Sequence, residues 1–409
     1  MSRLLARTLV MVAANALATS QAVLAAGTPP PLPIQDPAAA AFTTIGGATP
    51  LATDATVPHW HGQFTDPTNG VTYGYNMVGN EDPRDPGAGT TVVPVDIIPL
   101  RLSFERNGGF ALDGADEAAL TVASPLFQTG DYTATSHSSG GAGPLSSGNV
   151  GVQYEDAIMR SQFDKTGTDY HLILGGPTVF PTVSLSVPSV DGAVFLNSRG
   201  VTYALADELW FSTQVQQLLG SLQIDPTHLP IFLTDNVFLV AGRSWFLGYH
   251  GAAKAVGRGP GSTSGNGSQG VNTFIYSAYI RPGTYQQIVE FLTDIHPLSH
   301  EVAEWAADPF INNTIDPAFV QTTFAYGCLN LLEVGDPVAA IGFTMPGNPD
   351  TRPRADGSWH PEDEAFLPWF ARESPNVTSQ LAQSGASRRY TFMGDLNPYA
   401  IFRAPAPHC

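Results

Sequence analysis

Two side chains four residues apart, His300 and Glu304, form the pattern in this sequence that most clearly suggests chemistry. On an α-helix, residues at i and i+4 lie one turn apart on the same face, so the imidazole and the carboxylate can converge on one ion. His-Glu-x-x-His proteases hold zinc in this way, and here Glu304 takes the place of the second histidine. Glu301 would lie beside the metal-bound water as its general base. The pattern therefore predicts a zincin-like metal helix and a peptidase-like, zinc-dependent hydrolase.

The acidic stripe of this helix continues to Asp308, so that His300, Glu301, Glu304 and Asp308 share an arc of about 100°. The stripe contains no Lys or Arg, and a cation would relieve the repulsion between its carboxylates. A solvated face of an amphipathic helix is the alternative. Pro309 ends the helix at Asp308, where the helix dipole disfavours negative charge. We therefore expect Asp308 to orient His300 or to bind the metal. Apolar residues cover the opposite side of the helix and predict its packing face: Leu298, Val302, Trp305 and Ala306.

A zinc site needs a third protein ligand from elsewhere in the chain. Glu333, 29 positions after Glu304, is the first candidate, and Asp336 follows it. A turn without chemistry explains the Gly-Asp-Pro sequence at Asp336 equally well. His250, which we interpret as part of a Gly-Tyr-His-Gly turn, is the next candidate and would either bind the ion or polarise a substrate oxygen. His360 is the last candidate.

The donor types leave the identity of the ion open between zinc and calcium. Carboxylate oxygens favour calcium, and an imidazole ligand favours zinc. His300 decides for zinc, and the alternative is a non-catalytic extracellular protein with a structural calcium site. A carbohydrate-active protein that uses Glu301 and Glu304 as paired carboxylates ranks last, because residues so close on one helix flank a glycosidic bond poorly.

The elements that must position these residues predict an α+β fold. Residues 58–204 form a β-rich region, with strand patterns over Val92–Phe104 and Val179–Val187. Residues 205–409 form a mixed α/β region that carries the metal site. It contains a helix over Asp207–Gln223, a buried strand over Pro230–Ala241 and a helix over Thr284–Ala307 that Pro297 kinks or divides.

The N-terminus and the charge of the chain indicate an exported protein. Residues 1–25 have a basic start, a short apolar run and small residues before a cleavage point, which is typical of a signal peptide; residues 26–57 follow as a leader or linker. The net charge of −18 argues against nucleic acid as a partner, and no later segment is apolar enough for membrane insertion. We expect a secreted protein, extracellular or periplasmic, that acts on an extracellular peptide or polymer. Whether Cys328 and Cys409 form a disulfide is left open by the sequence.

Several stretches of the chain resemble a group of secreted bacterial and fungal proteins that share a His-Glu-x-x-Glu motif. They read Val57-Pro58-His59-Trp60, Tyr154-Glu155-Asp156-Ala157, Leu298 to Trp305 and His360-Pro361-Glu362-Asp363-Glu364. The second half is also distantly similar to the plant phosphate-induced, EXORDIUM-like extracellular proteins. The shared order runs from His250 through His300 to Glu304 and Asp308-Pro309, and ends at Glu333 to Asp336. The resemblance implies that these four patches form one site.

Overall fold

A computed structural model of the chain describes residues 48–52, 54–132, 136–137, 150–242, 244–255, 270–285, 292–321, 326–339, 341–374, 390–392 and 405–409. The predicted signal peptide, 1–25, and most of the predicted leader lie outside these residues. The described part is rich in strands and contains few helices, so the predicted α+β class holds in this general sense.

The centre of the fold is a seven-stranded sheet. Its members are β4 (Val95–Phe104), β5 (Phe110–Asp113), β10 (Thr178–Val179), β11 (Val183–Val187), β14 (Leu229–Asp235), β17 (Gly248–Lys254) and β18 (Val271–Tyr279). Strands β4, β14 and β18 run parallel, and β17 pairs antiparallel with β18. Along β4, strands β10 and β11 pair in parallel and β5 pairs antiparallel. Because β4 precedes residue 204 and β14 follows residue 205, one sheet joins the two regions that the sequence suggests.

Smaller sheets surround this centre. A four-stranded sheet contains β12 (Gly192–Leu196), β13 (Thr202–Asp207), β15 (Val237–Ala241) and β16 (Ser244–Phe246). A three-stranded sheet contains β7 (Ser136–His137), β21 (Phe343–Pro346) and β22 (Ser358–Trp359). The two-stranded pairs are β1 (His59–Thr65) with β2 (Thr72–Val78), β3 (Thr90–Val93) with β9 (His171–Leu174), β6 (Gly130–Asp131) with β8 (Val150–Val152), and β19 (Thr314–Gln321) with β20 (Tyr326–Leu331).

Helices cover both faces of the central sheet. They are α1 (Ala115–Val122), α2 (Tyr154–Gln162), α3 (Glu208–Ser221), α4 (His296–Ala307) and α5 (Leu367–Phe370), with 3-10 turns at Glu105–Asn107 and Asp336–Val338. Neighbouring strand residues point to opposite faces, so Ile231 joins the apolar cluster beneath α4 and Phe232 the cluster beneath α3. The predicted packing face of α4 is confirmed, because Leu298, Val302, Trp305 and Ala306 all lie in its cluster.

Three local features differ from the sequence-based expectation. The stretch predicted as one strand over Pro230–Ala241 forms β14 and β15, which belong to different sheets, because Asn236 has a left-handed φ of 53° and turns the chain between them. The Gly-Tyr-His-Gly interpretation as a turn is wrong, since residues 248–251 lie within β17. The helix predicted over Thr284–Ala307 is present as α4 from His296, after non-helical residues 292–295, with Pro297 in its first turn, where a missing N–H costs nothing. Positions 286–291 of the prediction lie outside the described residues.

A disulfide joins Cys328 in β20 to Cys409, with a Cα–Cα distance of 5.9 Å. It ties the last residue of the chain back to the β19–β20 pair, and such bonds persist in oxidising compartments. Among the described residues, no helix is both long and apolar enough to cross a bilayer.

Candidate metal centre

Helix α4 carries one functional face because its other face is fixed in the core. Trp305 is fully buried and its indole Nε1 donates a 2.9 Å hydrogen bond to Thr273 Oγ1 on β18. With that side locked, His300, Glu301 and Glu304 face β17 and the segment 333–336. Glu301 and Glu304 are only 5% and 4% exposed. Two carboxylates buried side by side need strong compensation from their surroundings.

Two glycines allow the backbone to approach these side chains closely. A Cβ at Gly248 would stand 2.7 Å from Cγ of Glu301, and a Cβ at Gly335 would collide with the imidazole ring of His300. Neither glycine has a positive φ, so backbone conformation does not require glycine at either position. Glycine is required there because any Cβ would collide with the side chains of α4. The amides of Gly335 and Asp336 both donate to Glu304 Oε1, at 3.2 and 3.3 Å.

His250, Glu304 and Glu333 form the first group of converging donors. One ligand atom from each lies within 4.8 Å of the other two. His250 Nδ1 is 3.6 Å from Glu304 Oε2, and His250 Nε2 is 3.8 Å from Glu333 Oε2. Both distances exceed those of hydrogen bonds, which end near about 3.2 Å. The two distances start from different nitrogens of the ring, and one ion binds only one of them. Nε2 has no hydrogen-bond partner and faces Glu333, so it is the nitrogen of His250 that could bind an ion. Zinc ligands held at about 2.0–2.1 Å in a tetrahedron stand roughly 3.3 Å apart, which is close to the distance from Nε2 to Glu333.

His300, Glu301 and Glu304 form a second group with the same mutual spacing. His300 Nε2 lies 3.1 Å from Glu304 Oε1, and Glu301 Oε2 lies 3.4 Å from His250 Nδ1. Glu304 therefore belongs to both groups and turns a different oxygen to each histidine. The triad expected first from the sequence, His300 with Glu304 and Glu333, is not one of the groups that converge in the described residues.

The electrostatics of the cluster follow from burial and crowding of carboxylates. Burial, and next the charge of Glu304, raise the pKa of Glu333 well above its ordinary value, and the same causes raise the pKa of Asp336 to about 7. Burial alone would lower the pKa of His300, but the carboxylates of Glu304 and Glu362 outweigh it and raise that pKa well above its usual range. The crowding of carboxylates therefore favours the protonated forms of these groups, and burial does the same for the two acids.

The two remaining predicted ligands lie beside these groups and not in them. Asp308 is buried and accepts hydrogen bonds from the backbone amides of Asn312 and Asn313, at 3.0 and 3.1 Å. Asp308 therefore caps the chain that leaves α4, and burial raises its pKa to about 6. Asp336 begins the 3-10 turn after Glu333 and approaches Glu304 through its backbone amide.

Two other histidines, His360 and His59, lie outside both groups. His360 Nδ1 donates a 2.7 Å hydrogen bond to Asp294 Oδ2. His59 packs its ring edge-on against Phe310, with centroids 4.9 Å apart.

Glu362 is the residue of this centre that sequence reasoning missed. Its Oε1 is 3.1 Å from His300 Nδ1 and its Oε2 is 2.8 Å from His296 Nε2, and its own amide donates to Ser299 Oγ. A carboxylate on the far nitrogen of a metal-binding histidine fixes the tautomer and the orientation of the ring. One feature of the sequence could have pointed to Glu362: residues 362–364 are all acidic, in a chain in which only 13% of residues are charged.

No protein-family model, no curated protein and no solved structure matches this chain. The likeness to the secreted His-Glu-x-x-Glu proteins and to the plant phosphate-induced proteins stays a prediction. Only the geometry of the cluster bears on what the protein does.

Proposed function

We propose that the protein is a secreted metal-dependent hydrolase, peptidase-like, whose ion is held by His250, Glu304 and Glu333. This ligand set replaces His300 in the sequence-based triad by His250 and keeps both carboxylates. A divalent ion there would polarise a substrate carbonyl and lower the pKa of a bound water. Zinc binds both imidazole nitrogen and carboxylate oxygen, so zinc is the first choice of metal.

The observation that carries the proposal is the state of His250. The residue is 7% exposed, and its Nε2 has no hydrogen-bond partner although Glu333 Oε2 lies 3.8 Å away. A buried ring nitrogen left without a partner costs about 1–3 kcal/mol, and here the nearest acceptor is too far for a hydrogen bond. A cation between the imidazole and the carboxylate would satisfy both groups at once.

Glu301 is the residue placed to move a proton. Its Oε2 lies 3.4 Å from His250 Nδ1, next to the proposed ligands. Burial raises the pKa of Glu301 above its ordinary value, which brings the carboxylate closer to the range of an effective general base. Glu362 would hold His300 in place, and the His300 imidazole pairs in turn with Glu304.

A structural calcium site is the second candidate, and one observation favours it. Carboxylates dominate the cluster, with Glu301, Glu304, Glu333 and Asp336 all within or beside it. Calcium prefers oxygen donors, but two imidazoles reach into the same cluster and nitrogen donors favour zinc.

Metal analysis of the purified mature protein separates these functions. After dialysis against metal-free buffer and reloading with equimolar Zn²⁺ and Ca²⁺, we expect bound zinc in the wild type and its loss in Glu304→Gln. Glu105→Gln, which changes an exposed glutamate far along the chain, is the matched control. Glu301→Gln should keep the ion held by the other three residues and lose about 10²–10⁴-fold of its activity on a fluorescent unfolded protein substrate. Calcium alone, or no metal, would overturn the zinc hydrolase.

A further inference from the structure

We infer that the cluster binds two metal ions, with Glu304 as the bridging carboxylate between His250 with Glu333 on one side and His300 with Glu301 on the other. This rests on the proposed function and adds a second ion to it. The first reason is that two complete three-donor groups exist, and Glu304 is the member that they share.

The orientation of Glu304 provides the second reason. Its Oε1 lies 3.1 Å from His300 Nε2, and its Oε2 lies 3.6 Å from His250 Nδ1. One oxygen is thus turned to each imidazole, while Nε2 of His250 faces Glu333. Bridging of this kind is how two-ion hydrolytic sites hold ions about 3.5–4 Å apart. The amides of Gly335 and Asp336 fix the carboxylate in this orientation.

Charge balance provides the third reason. In the described part of the chain, the ion-pair partners of Glu301, Glu304, Glu333 and Glu362 are all histidines. These four carboxylates carry four negative charges, which two divalent ions would balance with all three histidines neutral. One divalent ion would balance them only with two of the histidines protonated. The unpartnered Nε2 of His250, aimed into the same cluster, shows that protons alone do not complete it.

The second ion changes the part that Glu301 plays. With one ion bound, Glu301 would be free to take a proton from water. With two, Glu301 would instead bind the second ion, and the chemistry that the pair of ions would supply is stabilisation of the attacking and leaving oxygens. Glu362 then acts as the positioning residue of the second ion, since it holds His300 Nδ1 and leaves Nε2 to bind metal.

The test counts zinc ions in the wild type and in paired variants. We expect two equivalents in the wild type, one in His250→Ala, one in His300→Ala, and fewer than one in Glu304→Ala, measured by mass spectrometry of the elements after dialysis. His228→Ala is the control, because it removes a histidine–carboxylate pair outside the cluster. Circular dichroism checks the folding of each variant, and His→Gln exchanges replace any alanine variant that fails to fold.

Cobalt substitution gives an independent readout. Two Co²⁺ ions that share a carboxylate are expected to show a spin-coupled signal in the wild type that both histidine variants lose. One equivalent of zinc that is lost in His250→Ala and kept in His300→Ala would overturn the second ion and leave the proposed function standing. One equivalent lost in both variants would indicate a single shared ion. No zinc in the wild type would overturn the proposed function itself.

Discussion

Gly335→Ala tests whether the centre depends on the close approach of the backbone to His300. An added Cβ would stand 2.8 Å from Cγ of the His300 ring and nearer still to two other ring atoms. To bring its nearest atom to an ordinary contact of 3.4 Å, the ring would have to retreat by roughly 1 Å. It has no free direction, because Glu362 holds its Nδ1 and Glu304 faces its Nε2, each at 3.1 Å. The change therefore acts on metal binding and on packing together.

The expected magnitudes differ for these two effects. Overpacking of this kind costs about 1–3 kcal/mol of the free energy of unfolding. Displacement of one donor or of its support lowers metal affinity by about 10- to 100-fold. Gly248→Ala should behave similarly, since its Cβ would meet Cγ of Glu301 at 2.7 Å. Gly176→Ala is the matched control, because a Cβ there meets nothing within 4 Å and the residue has no positive φ.

Competition between the protein and a chromophoric chelator for Zn²⁺ measures the affinity, and denaturant unfolding of the metal-free protein measures the stability. The reasoning is refuted if Gly335→Ala binds zinc as tightly as Gly176→Ala does. A loss of stability without any loss of affinity would mean that the ring is displaced and that neither His300 nor its contact with Glu304 contributes to metal binding.

Two further predictions concern stability. Replacing Cys328 and Cys409 by Ser opens a loop with a sequence separation of 81, for which the chain-entropy relation gives a loss of about 4.5 kcal/mol in the free energy of unfolding. The double variant should unfold at the same denaturant concentration as the reduced wild type. Two free thiols in the untreated protein would contradict the disulfide. Glu117 is buried, and burial together with the charge of Asp235 raises its pKa to about 7. Proton binding by Glu117 therefore stabilises the folded state fully below pH 4.5, and this stabilisation is lost as the pH rises to about 7. Wild type should therefore lose up to roughly 3 kcal/mol relative to Glu117→Gln across this range; parallel pH profiles of unfolding would contradict the shift, and would mean that Arg352, 2.6 Å away, keeps the carboxylate charged.

The part of the centre that the sequence predicted best is local. The spacing of His300, Glu301 and Glu304 on one helix follows from 3.6 residues per turn, and no tertiary information enters. The apolar side of the same helix was equally readable, because Trp305 and Val302 alternate with the acidic residues at helical spacing. Residues in one helix keep their mutual geometry wherever the helix packs.

The remaining donors come from elements whose approach depends on the tertiary fold. His250 joins the centre because β17 lies beside β18 and α4 packs across both strands, and no pattern in its neighbourhood announces this pairing. A glycine on each side of a Tyr-His pair favours a turn by local rules, yet at Gly248 the missing Cβ makes room for Glu301. The same glycine thus misled the local prediction and supports the site.

Glu362 was missed for a related reason. Its surroundings, Pro361 to Asp363, have no helical or strand period, so nothing placed its side chain relative to α4. In the structure, its amide donates to Ser299 Oγ in α4, and this bond docks the segment against the helix. The sequence shows three consecutive acidic residues, but only the tertiary structure shows which of them contacts a histidine.

Tertiary contacts also explain why the fold tolerates this cluster. Local rules are broken here by several buried carboxylates on and beside one helix, and such violations persist where function requires them and other contacts compensate. The compensation is visible on the opposite face of α4, where Trp305 is fixed both by burial and by its bond to Thr273. If the packing face supplies the stability that the polar face lacks, metal loading should raise the free energy of unfolding of the wild type and should raise that of Glu304→Gln much less. Equal gains in both proteins would mean that the ion binds elsewhere and that the carboxylates of α4 are held by their histidines alone.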